Sequence, residues 1–245
     1  MRQRLVLTTA GASYVPAVRA GLTRISGATE RLLLDQKNGL SLVIAVGSTF
    51  GARWLVPRLN EFREKYPEIT LHLVTFSIGL VPYDFAREQV DAAIYFGEAP
   101  WTNATCHWLY GEECIPVCSP RLLGTGVRSI DDLTKTTILH LKSRPTAWSN
   151  WLAKAGFAES CELRGPIFQT MAMMSEAAVV GIGIALMPRF LIADDISTGR
   201  LAIASPITVT IPGAYYLAYP HKRLDKIPAL KAFKDWLVEH PQLTG

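Results

Sequence analysis

A chain of 245 residues, 49% hydrophobic and 19% charged, is an ordinary globular protein with room for two modest domains or one large one. Its longest apolar runs, such as Ala177 to Met187, are too short to span a bilayer, and the stretch from Met1 to Thr9 is too brief and too polar for a signal-peptide core. A cytoplasmic protein with no membrane partner is therefore expected. The net charge of +4 is uneven: residues 1–37 hold six basic and two acidic residues, whereas the remainder is neutral. This fits either a neighbour of a nucleic-acid-binding module or a solvated helix face.

In chain order, Leu5 to Ala12 opens as a short apolar strand, after which Thr8 or Thr9 caps a helix reaching to about Leu34. Within it Val15, Val18, Leu22, Ile25, Thr29 and Leu32 recur at spacings of three and four, the heptad seam by which two helices pair. Such a seam can also lie on its own domain, but no adjacent segment supplies a cover, so pairing is expected. Pro16 should bend this helix or delay its start. Lys37 to Gly39 end it as a hinge.

Leu40 to Val46 is β-branched and apolar, a buried strand suited to a sheet covered on both faces. Gly47, Ser48 and Thr49 form a polar turn into a helix carrying Phe50, Trp54, Leu55, Leu59 and Phe62 on one side. Ser48 and Thr49 occupy the expected N-cap, where free backbone N–H groups favour a carboxylate or phosphate; either capping or ligand contact accounts for them. Ile69 to Phe76 alternates as a strand, Ser77 to Gly79 turn, Val81 to Glu88 form a short helix, and Val90 to Gly97 is a third buried strand. This βαβαβ order predicts a parallel sheet.

Trp108 to Tyr110 and Glu113 to Cys118 read as further strands. The polar run from Gly124 to Asp132 then breaks the pattern, so a second domain is expected to start near Cys114. Its elements are a helix over Ala147 to Gly156, Ile167 to Thr170 leading into a Met-rich helix through Val180, and a buried strand over Gly181 to Pro188. Arg200 to Ile211 is strand-like, Ala214 to Tyr219 is a strand, and Ile227 to His240 is a closing helix.

Two α/β units of similar size imply a cleft between them, where ligands bind. Gln169 and Thr170 are polar residues at a strand-to-helix junction, as Ser48 and Thr49 are. Two helix starts facing each other across the cleft would clamp an anion. Met171, Met173 and Met174 read as core filling. Catalytic chemistry is missing. There is no glycine-rich dinucleotide or phosphate loop and no GxSxG elbow. His72, His107, His140, His221 and His240 are scattered, and Cys106, Cys114, Cys118 and Cys161 read as reduced structural thiols. Glu112-Glu113 and Asp131-Asp132 read as solvated turns. No enzyme, no catalytic residue, no metal and no cofactor are expected.

The run Leu7 to Gly11 before a long pairing helix resembles the end of the winged helix and the linker helix of LysR-type transcriptional regulators. Further marks are Arg53 to Arg58, Val90-Asp91 with Ile94 and Phe96-Gly97, Pro116 to Pro120, Trp148 to Trp151 with Ala155-Gly156, and Ala177-Ala178 with Gly181 to Gly183. They resemble in particular the glycine-cleavage activators and the β-lactamase-inducing regulators. The resemblance implies an α/β fold: a type 2 periplasmic-binding-protein-like effector domain of two Rossmann-like subdomains, preceded by a linker (dimerisation) helix. It divides the chain into a wing remnant (1–8), the linker helix (9–37), subdomain I (38–113 and 214–245) and subdomain II (114–213).

It also implies a sensor of a small anionic metabolite, with Ser48, Thr49, Phe76, Ser77, Asp84, Gln169, Thr170 and Tyr215 at the effector. Asp84 reads equally as a helix-start carboxylate and Tyr215 as a packed strand residue. Val15, Val18, Leu22, Ile25 and Leu32 would join a homodimer or tetramer. The family's helix-turn-helix is not seen ahead of the wing. The chain is therefore expected to be a truncated regulator, a mis-assigned start or a fragment, meeting promoter DNA only as part of an intact protein. The second reading is a solute-binding protein of a transporter, which shares the fold.

Overall fold

The computed structural model describes residues 6–38, 40–75, 85, 89–124, 132, 135–157 and 163–239, apart from the side chains of 30–38. The expected strand at the start is not found: Val6 to Thr8 take no regular structure, and Thr8 instead receives the Gly11 N–H on its Oγ1 at 3.1 Å as helix α1 (Thr9–Asn38) begins. Pro16 lies inside this helix without ending it. A proline eight residues in removes one i→i−4 hydrogen bond, and the turns on either side outweigh that loss. The 30 residues reach about 45 Å at 1.5 Å per residue. Along them Val18, Leu22 and Ile25 stand 39%, 62% and 65% exposed, so little of the chain's own domain covers the seam. The side chain of Leu32 lies outside the described residues. The helix touches the body where the Gln89 side-chain amide donates to the Arg24 carbonyl at 2.8 Å.

After β1 (Leu40–Val46) the chain winds through α2 (Ser48–Phe50), a π-helical turn (Gly51–Leu55) and α3 (Val56–Lys65). Gly51 packs against β1 so closely that a Cβ there would sit 3.1 Å from Val46 Cγ1. This run buries Phe50, Trp54, Leu55 and Phe62, the face set by the helical spacing. There follow β2 (Ile69–Thr75), β3 (Ala92–Gly97), β4 (Ala104–Cys118), α4 (Pro120–Gly124), β5 (Ile138–Leu141), α5 (Ala147–Lys154), β6 (Ile167–Phe168), α6 (Met171–Val179) and β7 (Ile184–Pro188). The chain closes with α7 (Ala193–Ser197), β8 (Ala202–Ile203), β9 (Val209–Pro220) and α8 (Pro228–Glu239). The helix expected over Val81 to Glu88 lies largely outside the described residues.

The strands run in the order β2-β1-β3-β9-β4-β7-β5-β6, with β8 on β4. β1 is parallel to β2 and β3, as the βαβαβ pattern requires, and β5 is parallel to β6 and β7. The sheet is nonetheless mixed rather than parallel throughout, because β9 is antiparallel to both β3 and β4, and β4 is antiparallel to β7. The two segments expected around Trp108 and Cys114 are one 15-residue strand. Register shifts between Trp108 and Tyr110 and between Gly111 and Glu112 interrupt its alternation and disguise it as two. β4 carries the chain from one half of the sheet to the other and β9 brings it back.

Each half has its own core. In the first, Phe50, Trp54, Phe62, Phe233 and Trp236 pack with Leu42, Ile44, Ile94 and Leu217. In the second, alternate residues of β5 and β7 face opposite sides: Ile138 and Ile184 meet Trp148 and Trp151 of α5, whereas Leu139 and Met187 meet Met174 and Ala178 of α6. Each fully buried side chain of this size contributes roughly 1.5–3 kcal/mol. Glycine is required at position 183, just before β7, because a Cβ there would collide with the Thr137 carbonyl oxygen.

Candidate functional site

A cavity of about 580 Å³ opens between the two halves. Its walls are Gly47 to Phe50 after β1, Ile94 to Phe96 near the end of β3, Leu141 to Arg144 after β5, Gln169 to Met171 after β6, and Tyr215 of β9. Most of these lie at the carboxyl ends of parallel strands, where open α/β sheets bind ligands.

Five expected residues, Ser48, Thr49, Gln169, Thr170 and Tyr215, border this one cavity. Phe76, Ser77 and Asp84 lie outside the described residues. The capping expectation for Ser48 and Thr49 is corrected. Gly47 is the N-cap, and no side-chain oxygen caps this helix. Thr49 is 8% exposed, and its Oγ1 reaches the other half to accept the Ala172 N–H at 3.0 Å. Thr170 does cap α6, accepting the Met173 N–H at 3.3 Å. The first turn of α6 is thus already supplied with two oxygens, one from each half. Because both hydroxyls accept from backbone N–H groups, their own protons remain for an acceptor elsewhere. Met174 is core filling, Met171 packs against the cores of both halves while also lining the cavity, and only Met173, 58% exposed, departs from that expectation.

Behind the cavity lies a network that sequence reading missed. Glu112, read there as part of a solvated turn, is fully buried. Its carboxylate accepts Arg144 Nε at 3.1 Å, Arg144 Nη2 at 3.2 Å and the Tyr215 hydroxyl at 2.8 Å. The Arg144 guanidinium lies 3.8 Å over the Phe96 ring. Burial first, then the charge of Glu112 and the hydrogen bond to it, hold the Tyr215 phenol well above its ordinary pKa, so it stays a donor. Period-two alternation from Glu112 through Cys114 was the signal available, masked by the adjacent bulge. Lys142 and Arg144 had none, because they follow a four-residue strand that the sequence did not mark.

A second contact joins the halves. Arg53, on the π-helical turn of the first half, donates to the Leu191 carbonyl, to Ser175 Oγ at 3.1 Å and to Asp195, and pairs with Glu176. Arg200 holds the same two carboxylates at 2.7 and 2.9 Å. Among the described residues no cluster of His, Cys, Asp and Glu is arranged to hold a metal ion. No described helix is long and apolar enough to cross a membrane.

A two-part α/β sheet with a polar-rimmed cavity between its halves defines a small-molecule-binding domain. The family model described as LysR substrate binding domain matches residues 35–242. The chain belongs to the LysR-type transcriptional regulators and forms their effector-binding domain, of the periplasmic-binding-protein-like type. It is 34% identical over 240 residues to the glycine cleavage system transcriptional activator homolog of Haemophilus influenzae, covering 96% of this chain and 76% of that one. It is 32% identical over 235 residues to the transcriptional activator AmpR of Rhodobacter capsulatus, covering 96% and 78%. The AmpR effector binding domain from Citrobacter freundii superposes with a TM-score of 0.73 at 28% identity, over 82% of this chain and 97% of that one. CrgA of Neisseria meningitidis shares the fold over 97% of this chain and 81% of that one, with a TM-score of 0.65 at 23% identity. Regulators of this family bind small-molecule effectors and DNA and form oligomers. The relatives are named as regulators of transcription, so this chain is a regulator rather than an enzyme, and the transporter reading is not favoured.

Proposed function

We propose that this chain senses a small anionic metabolite held in the cavity between its halves, with Ser48, Thr49, Gln169, Thr170 and Tyr215 among the contacts. The observation that carries this reading is their convergence: residues up to 167 positions apart in sequence border one space. The two threonine hydroxyls, accepting from Ala172 and Met173, offer protons to a ligand rich in lone pairs. Residues 38–113 with 214–245 form one subdomain and 114–213 the other, with β4 and β9 as the hinge pair. This division is supported by the two passages of the chain between the halves along those strands. Closure on the effector favours one angle between the subdomains over another. The exposed seam of α1 pairs two copies, so that angle sets the spacing of the DNA-binding heads in an intact dimer.

The test is a thermal-shift screen of amino acids, purines and cell-wall fragments, followed by calorimetry of Thr49→Val and Thr170→Val against a metabolite that stabilises the wild type. Each substitution removes one hydrogen bond to the ligand and should weaken binding by roughly tenfold. Unchanged affinity in both variants overturns the site.

A further inference from the structure

The lining of the cavity is unbalanced in charge. Among the described residues that form it there is no aspartate or glutamate, and there are two cations, Lys142 and Arg144. These two are not equivalent. Arg144 is compensated on every side: Nε and Nη2 are on the buried Glu112, Nη1 donates to the Ser143 carbonyl at 3.2 Å, and Phe96 covers the guanidinium plane. Turning it toward a ligand would take the counter-charge from the fully buried Glu112 and leave that carboxylate only the Tyr215 hydroxyl, a costly arrangement. Lys142 has no side-chain hydrogen bond or ion pair with any described residue. Its backbone is nevertheless fixed, because its N–H donates to the Phe168 carbonyl at 2.8 Å, continuing the parallel pairing of β5 with β6. The ammonium thus stands on a rigid base at the end of a strand, next to Gln169 and Thr170 on the cavity wall.

We propose that Lys142 is the counter-ion for one carboxylate or phosphate of the effector and sets the preference of the site for anions over neutral molecules. The inference rests on the cavity being the effector site. An exposed lysine loses little by staying hydrated in the empty protein. When a ligand fills the cavity, water leaves, screening falls and a charge-assisted hydrogen bond forms at about twice the strength of a neutral one. A compact ammonium with three rotatable donors suits a single anionic group, whereas the fork of Arg144 shapes the wall behind it and is a positioning element.

The experiment uses the full chain and matched probes, N-acetylated amino acids and their primary amides, which differ only in carboxylate against carboxamide. Binding is read by thermal shift and calorimetry for the wild type, Lys142→Met, Lys142→Arg and Thr49→Val. The wild type should bind the acid of a pair more tightly than its amide by roughly tenfold to a hundredfold. Lys142→Met should lose that preference while keeping affinity for the amide, and Lys142→Arg should retain most of it. If Lys142→Met keeps the preference while Thr49→Val weakens both members of the pair, the role of Lys142 is overturned and the cavity stands. If neither Lys142→Met nor Thr49→Val alters binding of either probe, the cavity reading falls, and this inference with it.

Discussion

Glu112 and Glu113 are adjacent in sequence and opposite in environment. On a strand, neighbouring side chains point to opposite faces, so Glu112 is buried against Arg144 and Tyr215 while Glu113 is exposed and accepts from the Thr208 hydroxyl at 2.9 Å. A buried carboxylate with three good donors is stable only as a set. Replacing Glu112 by Gln leaves the guanidinium without its counter-charge, and because the Arg144 side chain keeps 17% exposure it can partly recover water. The expected loss is about 3 kcal/mol, measured by urea unfolding of Glu112→Gln against the wild type. The pairing was not legible in the sequence, since Arg144 lies 32 residues away and Tyr215 lies 103 away. Ser48, Thr49, Gln169 and Thr170 were legible because small polar residues at strand-to-helix junctions stand out locally. What each hydroxyl does was not: Thr49 serves a helix of the other half, and only Thr170 serves its own.

Helix α1 shows an element whose apolar seam the described residues of the single chain leave largely uncovered. Its heptad seam was readable from spacing alone, and Leu22 and Ile25 stay exposed in the folded monomer. Exposed leucine and isoleucine in register contribute nothing to the monomer's core, so their removal should alter association and not folding. Leu22→Glu combined with Ile25→Glu places four carboxylates along the seam of a pair. On the proposed pairing of two copies, sedimentation should show the dimer converted to monomer, with the thermal midpoint of the effector-binding part unchanged. The π-helical turn at Gly51–Leu55 had no counterpart in the periodicity, which runs smoothly from Phe50 to Phe62. One widened turn shifts Arg53 out of phase with the buried face, and from there it reaches Ser175, Leu191 and Asp195.

At the scale of the whole molecule, buried acidic groups couple stability to alkaline pH. Burial pushes the Cys118 thiol up to about 11 from an ordinary 9.0. Burial, then the charge of Glu112, raises Cys114, and Tyr215 is raised as well. Above about pH 9 the unfolded chain releases thiol protons that the folded chain keeps. The unfolded state then binds fewer protons, and stability falls as pH rises. Stability from these groups should be constant below about pH 8.5 and decline from about pH 9 to beyond 11. Urea unfolding under reducing conditions at neutral and alkaline pH checks this, and Cys118→Ala should flatten the decline whatever its effect at neutral pH.

Local pattern by itself determined the buried strand Leu40–Val46, the amphipathic helices Val56–Lys65 and Pro228–Glu239, the seam of the first helix and the absence of known catalytic motifs. Periodicity reports which face of an element is apolar whatever that face later meets: Phe233 and Trp236 of the last helix pack on the distant Phe62, and the seam of the first helix stays exposed. Tertiary structure alone decided that β4 is a single strand antiparallel to β9, that the sheet is mixed, and that Glu112, Arg144 and Tyr215 form one network beside Lys142. A period of two or 3.6 carries no information about strand direction or partner. Those are settled only when segments about a hundred residues apart meet and every buried donor and acceptor must find its complement.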